Sequence, residues 1–153
     1  MTSDAGSESR SPASADLLRR RVQAGGLWLP VEGDSMGRTI RAGSEVLLEV
    51  ANRGPRLGEV WAYVDAAGVL VVHRYLGRRG RSMRFAGDAQ HDDPPVEPSM
   101  LVGRAVRVRR NGRTAPLDGV RRLPPTAIAL AHRTLRGLAV RLGARRVRRW
   151  LGR

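Results

Sequence analysis

The stretch EVWAYVDAAGVLVVHRYL, residues 59–76, decides the fold class of this chain. Its two apolar runs, 59–64 and 69–76, are rich in Val, Tyr and Trp, which fit a pleated, half-buried surface. The sequence Asp65-Ala66-Ala67-Gly68 between the runs is typical of a tight turn. The stretch therefore predicts a β-hairpin.

Further short apolar runs lie on both sides of this hairpin. Turn signals separate them, of which Asn111-Gly112 is the strongest. Many short strands with turns between them predict a mainly β fold, arranged as an all-β barrel or sandwich. The additional strands are predicted at 27–31, 45–50, 82–86 and 101–109.

The two ends of the chain differ from this β domain, which is predicted over residues 16–123. Residues 1–15 are rich in Ser and predict a disordered tail. A short helix over 17–24 follows. Pro124-Pro125 closes the domain, and an apolar stripe predicts an amphipathic basic helix over 126–142, within a C-terminal region 124–153.

The charge of the chain is uneven. The net charge is +14, and all 28 basic residues are Arg. Residues 1–103 hold 13 Arg and 13 acids, whereas residues 104–153 hold 15 Arg and a single acid, Asp118. Three interpretations of the basic end stay open: it packs on the β domain, lies on an anionic membrane, or binds a partner protein or nucleic acid. Nucleic acid is the least favoured, because Trp150 is the only aromatic residue there.

Several kinds of site are excluded by composition. Without Cys or Lys the chain cannot form disulfides, thiolate zinc sites or Lys-based catalysis. No two of His73, His91 and His132 have metal-ligand spacing, and we expect no cofactor. The polar, acidic start resembles no signal peptide, and no run of 18 apolar residues occurs. We expect a cytoplasmic protein, with peripheral membrane contact through 126–153 as an option.

Ser35 is the first candidate for chemistry. It lies in Gly33-Asp34-Ser35-Met36, between two predicted strands. Gly, Asp and Ser all favour turns, so the tetrapeptide alone favours an ordinary turn over a catalytic site. A catalytic role requires a base beside the hydroxyl, because serine is a weak nucleophile at neutral pH.

Five segments in order resemble the type I signal peptidase superfamily, which includes the self-cleaving repressors of the SOS response. Residues 33–46, GDSMGRTIRAGSEV, are similar to its nucleophile box. Gly58-Glu59-Val60 follows, and Val71-Val72-His73-Arg74-Tyr75 resembles the base box in its His-Arg form. The segment GDAQHDD, 87–93, resembles the acidic box, and LVGRAV, 101–106, the closing strand.

The resemblance implies a signal-peptidase-like β fold and a serine peptidase site. Ser35 would be the nucleophile, His73 its general base, and Asp93 the residue that orients the imidazole. Asp88 would be a structural support. The choice among Asp88, Asp92 and Asp93 stays open, because the acidic box is one residue shorter than in the endoplasmic-reticulum type.

The same resemblance assigns the surroundings of the nucleophile. The backbone N–H of Ser35 would donate to the oxyanion, and Met36 would line the substrate cleft. Some relatives carry a hydroxyl side chain two residues before the nucleophile, where this chain has Gly33. Two residues depart from the pattern: Arg38 stands where Pro is usual and Ser44 where Asp is usual.

The function expected from these residues is a serine endopeptidase that cleaves signal, leader or precursor peptides. Its partner would be a peptide or protein precursor. One alternative is a self-cleaving regulatory protein, for which Ala13-Ser14-Ala15 and Ala24-Gly25-Gly26 are candidate cleavage sites. The other is a binding module that keeps the fold without the chemistry.

Overall fold

The hairpin predicted at 59–76 lies within an antiparallel sheet of seven strands. The structure, a computed structural model, describes residues 10–89 and 92–117. The mainly β fold class is confirmed. The elements are α1 (Arg10–Gln23), β1 (Leu27–Val31), β2 (Ser44–Glu49), β3 (Val60–Val64), β4 (Leu70–Arg79), β5 (Ser82–Ala86), a 3₁₀ turn (Pro98–Met100), β6 (Leu101–Arg110) and β7 (Arg113–Pro116).

The sheet is not closed into a barrel within the described ranges. Its strands follow the order β1-β2-β6-β3-β4-β5, and β7 pairs with β6 outside that path. A barrel would require β1 and β5 to pair. The outer edge of β5 instead forms bridges with Asp92 and Val96, and β1 carries Pro30, which has no N–H to donate at an edge. The sequence left a barrel and a sandwich open, and the prediction of a barrel was wrong.

β3 is buried on both faces and separates two apolar clusters. Val60, Ala62 and Val64 pack into the larger cluster, which also contains side chains of α1. Trp61 and Tyr63 point to the opposite face, where they pack with aromatic and other apolar side chains of β4 and β5. The alternation of side chains along a strand produces this division. β3 is thus fixed from both sides.

The termini of the described region differ from the sequence prediction in two ways. α1 begins at Arg10, so residues 10–15 of the predicted tail are helical. Ala15 is fully buried, so tertiary packing stabilises this part of the helix. The local sequence is polar and did not indicate that packing. β7 was not predicted, because RTAP is short and polar, although Asn111-Gly112 does form the turn before it. The predicted helix 126–142 lies outside the described residues.

Glu59, just before β3, joins three parts of the domain. Its carboxylate accepts hydrogen bonds from Nη1 and Nη2 of Arg53, from the backbone N–H of Arg56 at 2.9 Å and from Trp61 Nε1 at 3.1 Å. Arg104 on β6 lies 3.3 Å away. Burial raises the pKa of Glu59, but these donors outweigh it and bring the pKa from 4.5 to about 2.

We predict that Glu59→Gln lowers the free energy of unfolding at pH 7 by about 1–3 kcal/mol, a range that allows for solvent screening of the half-exposed Arg partners. The folded pKa lies below the unfolded value, so the charge stabilises the fold above pH 4.5. That stabilisation is lost as the pH falls toward 2. Urea unfolding of both proteins at pH 7 and pH 3 measures this. A difference that stays constant with pH would contradict it.

Candidate active site

Ser35 lies in a tight loop between β1 and β2. Gly37 N–H donates to Asp34 O at 2.8 Å, and Thr39 N–H donates to Met36 O at 3.1 Å, so consecutive turns fold the segment back on itself. Met36 is 1% exposed and packs in the larger cluster together with Ile40. Its side chain therefore fixes the loop to the core and does not face solvent, as the predicted wall of a substrate cleft would.

His73 projects from the middle of β4 toward this loop. Its Nε2 lies 2.8 Å from Ser35 Oγ, within hydrogen-bond distance. His73 itself is buried, and Ser35 is half-buried. The two residues that the sequence paired as nucleophile and base, 38 positions apart in the chain, are therefore direct neighbours in space.

Asp93 holds the other side of the imidazole. Its Oδ2 lies 2.7 Å from His73 Nδ1 and also accepts the Tyr63 hydroxyl at 2.7 Å. Burial raises the pKa of Tyr63, and the hydrogen bond to Asp93 and its negative charge raise it further. The phenol therefore stays protonated and acts as a donor, which fixes the carboxylate against the ring.

Asp88 lies apart from the imidazole and forms a buried ion pair with Arg74. Arg74 Nε and Nη2 donate to its two oxygens at 2.7 and 2.6 Å, a bidentate arrangement. Thr39 Oγ1 donates to Asp88 Oδ2 at 2.6 Å, and Arg74 Nη1 donates to Gly58 O at 2.7 Å. The side chains of the pair are 1% and 5% exposed. The position of Asp88 is that of a support for β4 and the Ser35 loop.

The segment after β5 touches the nucleophile directly. Ala89 N–H donates to Ser35 O at 2.9 Å. A Cβ at Gly87 would lie 2.4 Å from the same oxygen, so only glycine permits this approach. The acidic box and the nucleophile box are thereby held in backbone contact.

The open choice among three carboxylates has a geometric answer. Asp93 contacts His73, Asp88 pairs with Arg74, and Asp92 pairs with Arg84 at the surface. Asp93 also donates its backbone N–H to Phe85 O at 2.9 Å, which fixes the segment to β5. His91 and His132 lie outside the described residues.

Three contacts of the site were not assigned from the sequence: Tyr63 to Asp93, and Arg74 and Thr39 to Asp88. Arg74 stood inside the quoted base box without a role. Tyr63 could have been found from the hairpin register, because it pairs with Val71, two residues before His73 on the same face of β4.

The arrangement joins a hydroxyl, an imidazole and a carboxylate by hydrogen bonds. With Nδ1 protonated toward Asp93, Nε2 is free to accept the Ser35 proton.

In the described ranges no group of three His, Cys, Asp or Glu side chains is arranged to hold a metal ion. The described ranges also contain no helix long and apolar enough to cross a membrane.

We predict that Asp88→Asn lowers the free energy of unfolding by about 3–5 kcal/mol, because it leaves the buried Arg74 without its counter-charge. Asp92→Asn is the matched control and should cost less than about 1 kcal/mol, since its ion pair with Arg84 is partly exposed. Chemical denaturation of the three proteins measures both. Equal losses in the two variants would refute the supporting role of Asp88.

No protein-family model matches this chain, and no curated protein is significantly similar to it. What the site does must therefore be inferred from its own residues and their geometry.

Proposed function

We propose that this protein is a serine endopeptidase with Ser35 as nucleophile, His73 as general base and Asp93 as the residue that orients the base. One observation carries the proposal: a continuous line of hydrogen-bond distances, 2.8 Å from Ser35 Oγ to His73 Nε2 and 2.7 Å from His73 Nδ1 to Asp93 Oδ2. A hydrogen-bonded serine–imidazole–carboxylate line is the arrangement that activates a hydroxyl for acyl transfer.

The chemistry would proceed in two stages. Ser35 Oγ attacks the scissile carbonyl while His73 Nε2 takes its proton, and the same nitrogen then protonates the leaving amine. The resulting acyl-enzyme is hydrolysed by a water that His73 deprotonates. Asp93 stabilises the imidazolium in each stage, and the Tyr63 hydroxyl keeps that carboxylate in place.

The backbone N–H of Ser35 is the proposed oxyanion donor. Within the described residues it donates to no other group, so it is free for the tetrahedral intermediate. Gly33 provides no side-chain donor. Its φ of +80° instead shapes the turn that enters the loop. The proposed site therefore depends on main-chain stabilisation of the oxyanion.

The proposed substrates are signal, leader or precursor peptides, cut as an extended strand. This expectation, and a signal-peptidase-like form of the β fold, come from the resemblance of residues 29–110 to the type I signal peptidase superfamily. We place the enzyme in the cytoplasm, with peripheral contact to anionic membrane through 126–153, which lies outside the described residues. Nucleic acid is not proposed as a partner.

The two alternatives receive less support. For self-cleavage, Ala13-Ser14-Ala15 is a poor substrate, because it lies within α1 and Ala15 is fully buried. Ala24-Gly25-Gly26, between α1 and β1, is the better candidate for a site cut in cis. A silent binding module would not need a hydrogen bond between Ser35 and His73, which this protein nonetheless forms.

We predict that Ser35→Ala and His73→Ala each abolish proteolysis, with losses in kcat of roughly 10⁴-fold or more. The measurement compares protein N-termini in cells that express wild type or either variant. The same few N-termini should disappear in both, and a precursor should accumulate. Purified wild type should then cleave that precursor.

Ser82→Ala is the matched control, because Ser82 donates only to Glu97 at the surface of β5. Cells that express Ser82→Ala should contain every protein N-terminus that cells with the wild type contain. If Ser35→Ala and His73→Ala also retain all of them, the peptidase proposal fails and the binding module takes its place. If only the N-terminus of the protein itself changes, the activity is self-cleavage.

We predict that Tyr63→Phe lowers kcat by about three- to tenfold with little change in KM, because Asp93 loses one hydrogen bond and orients His73 less well. Tyr75→Phe is the control: Tyr75 is buried beside the same Phe85 ring, and no hydrogen bond of its hydroxyl is seen among the described residues. Steady-state kinetics on the identified precursor measure both variants. Equal effects of the two would contradict the positioning role.

A further inference from the structure

A concave site that includes neither Ser35 nor His73 lies where the Ser35 loop meets the β6–β7 hairpin. It is an open cleft of about 370 Å³. Arg38, Arg41 and Ser44 line it from the segment that leads into β2, and Arg110 and Arg113 line it from the opposite side. We refer to these five residues as the arginine cleft. The triad proposed for proteolysis takes no part in it.

The charge of the arginine cleft is entirely positive. Its lining includes four guanidinium groups and no carboxylate. Some other described arginines do meet acids, as Arg53 meets Glu59 and Arg109 meets Glu45. No described carboxylate lies within ion-pair distance of the four cleft arginines. These side chains are exposed, so water screens part of their mutual repulsion; the described residues offset none of the rest, and an anion would.

The hydroxyl of Ser44 is an independent sign of a missing ligand. Ser44 is 1% exposed, and its Oγ has no hydrogen-bond partner among the described residues. Leaving a buried hydroxyl unpaired costs about 1–3 kcal/mol, so native proteins seldom do so. Ser44 also lines the arginine cleft, and although its Oγ is closed to solvent, a rotation of the side chain toward the cleft would let it donate to an oxygen of a bound anion.

Two residues of the arginine cleft are also those that depart from the nucleophile-box pattern. Arg38 stands where Pro is usual and Ser44 where Asp is usual, and each change makes the local charge more positive. Neither residue adds a carboxylate to the cleft, so its positive charge is left available to a ligand.

From this geometry we infer that the arginine cleft binds a phosphate monoester group. Such a group offers three terminal oxygens and nearly two negative charges, which match several guanidinium forks and one hydroxyl donor. A single carboxylate would leave most of the donors unpaired. No aromatic side chain lines the cleft to stack a base, so a nucleic acid strand is not the ligand that it fits.

The test uses the purified full chain and phenyl phosphate, with binding measured by calorimetry and by the shift in Tm. Phenyl phosphate should raise Tm with saturable binding. Arg41→Gln with Arg113→Gln should weaken binding by about tenfold or more, because two charged hydrogen-bond donors are lost. Ser44→Ala should weaken binding by a few-fold while leaving the unliganded Tm unchanged or higher.

The matched control is Arg79→Gln with Arg81→Gln, which removes the same charge at the exposed end of the β4–β5 hairpin. It should bind phenyl phosphate as tightly as wild type does. No saturable binding, or equal weakening in both double variants, would overturn the inference, because the effect would then be one of net charge.

Vesicles identify the source of the phosphate group. They are made of phosphatidylcholine with or without phosphatidic acid. Binding that depends on phosphatidic acid and on the arginine cleft assigns the group to a lipid headgroup. Tight binding of phenyl phosphate, without cleft-dependent vesicle binding, assigns it to a soluble ligand. Neither result depends on Ser35, so Ser35→Ala should bind phenyl phosphate normally whether or not the protein is a peptidase.

Discussion

The buried ion pair between Arg74 and Asp88 is the interaction on which the site depends. Arg74 adjoins His73 on β4, and Asp88 adjoins the residue whose N–H holds Ser35 O. Two charges removed from water are tolerated only when their hydrogen bonds are satisfied, and here Thr39 Oγ1 and Gly58 O complete the set. The pair therefore fixes, in one place, the separation between the strand of the proposed base and the loop of the proposed nucleophile.

The position of His73 is also constrained by β3, which is buried on both faces and supports the site from beneath. Tyr63 lies on the same face of this strand as Trp61, and Trp61 pairs directly with His73 on β4. The Tyr63 ring packs on Phe85, with 5.0 Å between ring centres, while its hydroxyl reaches Asp93. The Tyr63 side chain therefore contributes both to the packing of the aromatic cluster and to the alignment of the imidazole, so that the position of His73 is fixed by the core.

The sequence was sufficient to predict what short-range patterns determine. Alternation and turn residues located β1 to β6, and the ordered boxes brought Ser35 and His73 together as candidates. Long-range contacts could not be predicted in the same way. Asp93 rather than Asp92 contacts His73 because pairing with the edge of β5 directs the Asp93 side chain toward the imidazole, and the local sequence of two adjacent Asp residues does not show which one this is. Met36 presents a similar difficulty: one apolar residue beside a nucleophile fits a cleft and a core equally well, and the structure buries its side chain. The sheet stays open because Pro30 lies on one edge strand and the segment 92–96 bridges to the other. The number of predicted strands, from which a barrel was considered, gives no information about either edge.

The shortage of carboxylates relative to arginines explains why the two sites differ so sharply in charge. Glu59 is used by Arg53 and Arg104, and Asp88 by Arg74, so these acids are fully engaged in holding the fold. Asp93 receives only His73 and Tyr63 among the described residues, and no guanidinium competes with the imidazole for it. A guanidinium at that carboxylate would neutralise the charge that stabilises an imidazolium. The four guanidinium groups of the arginine cleft pair with no described carboxylate, and Asp93 does not line that cleft, so Asp93 stays available for the base.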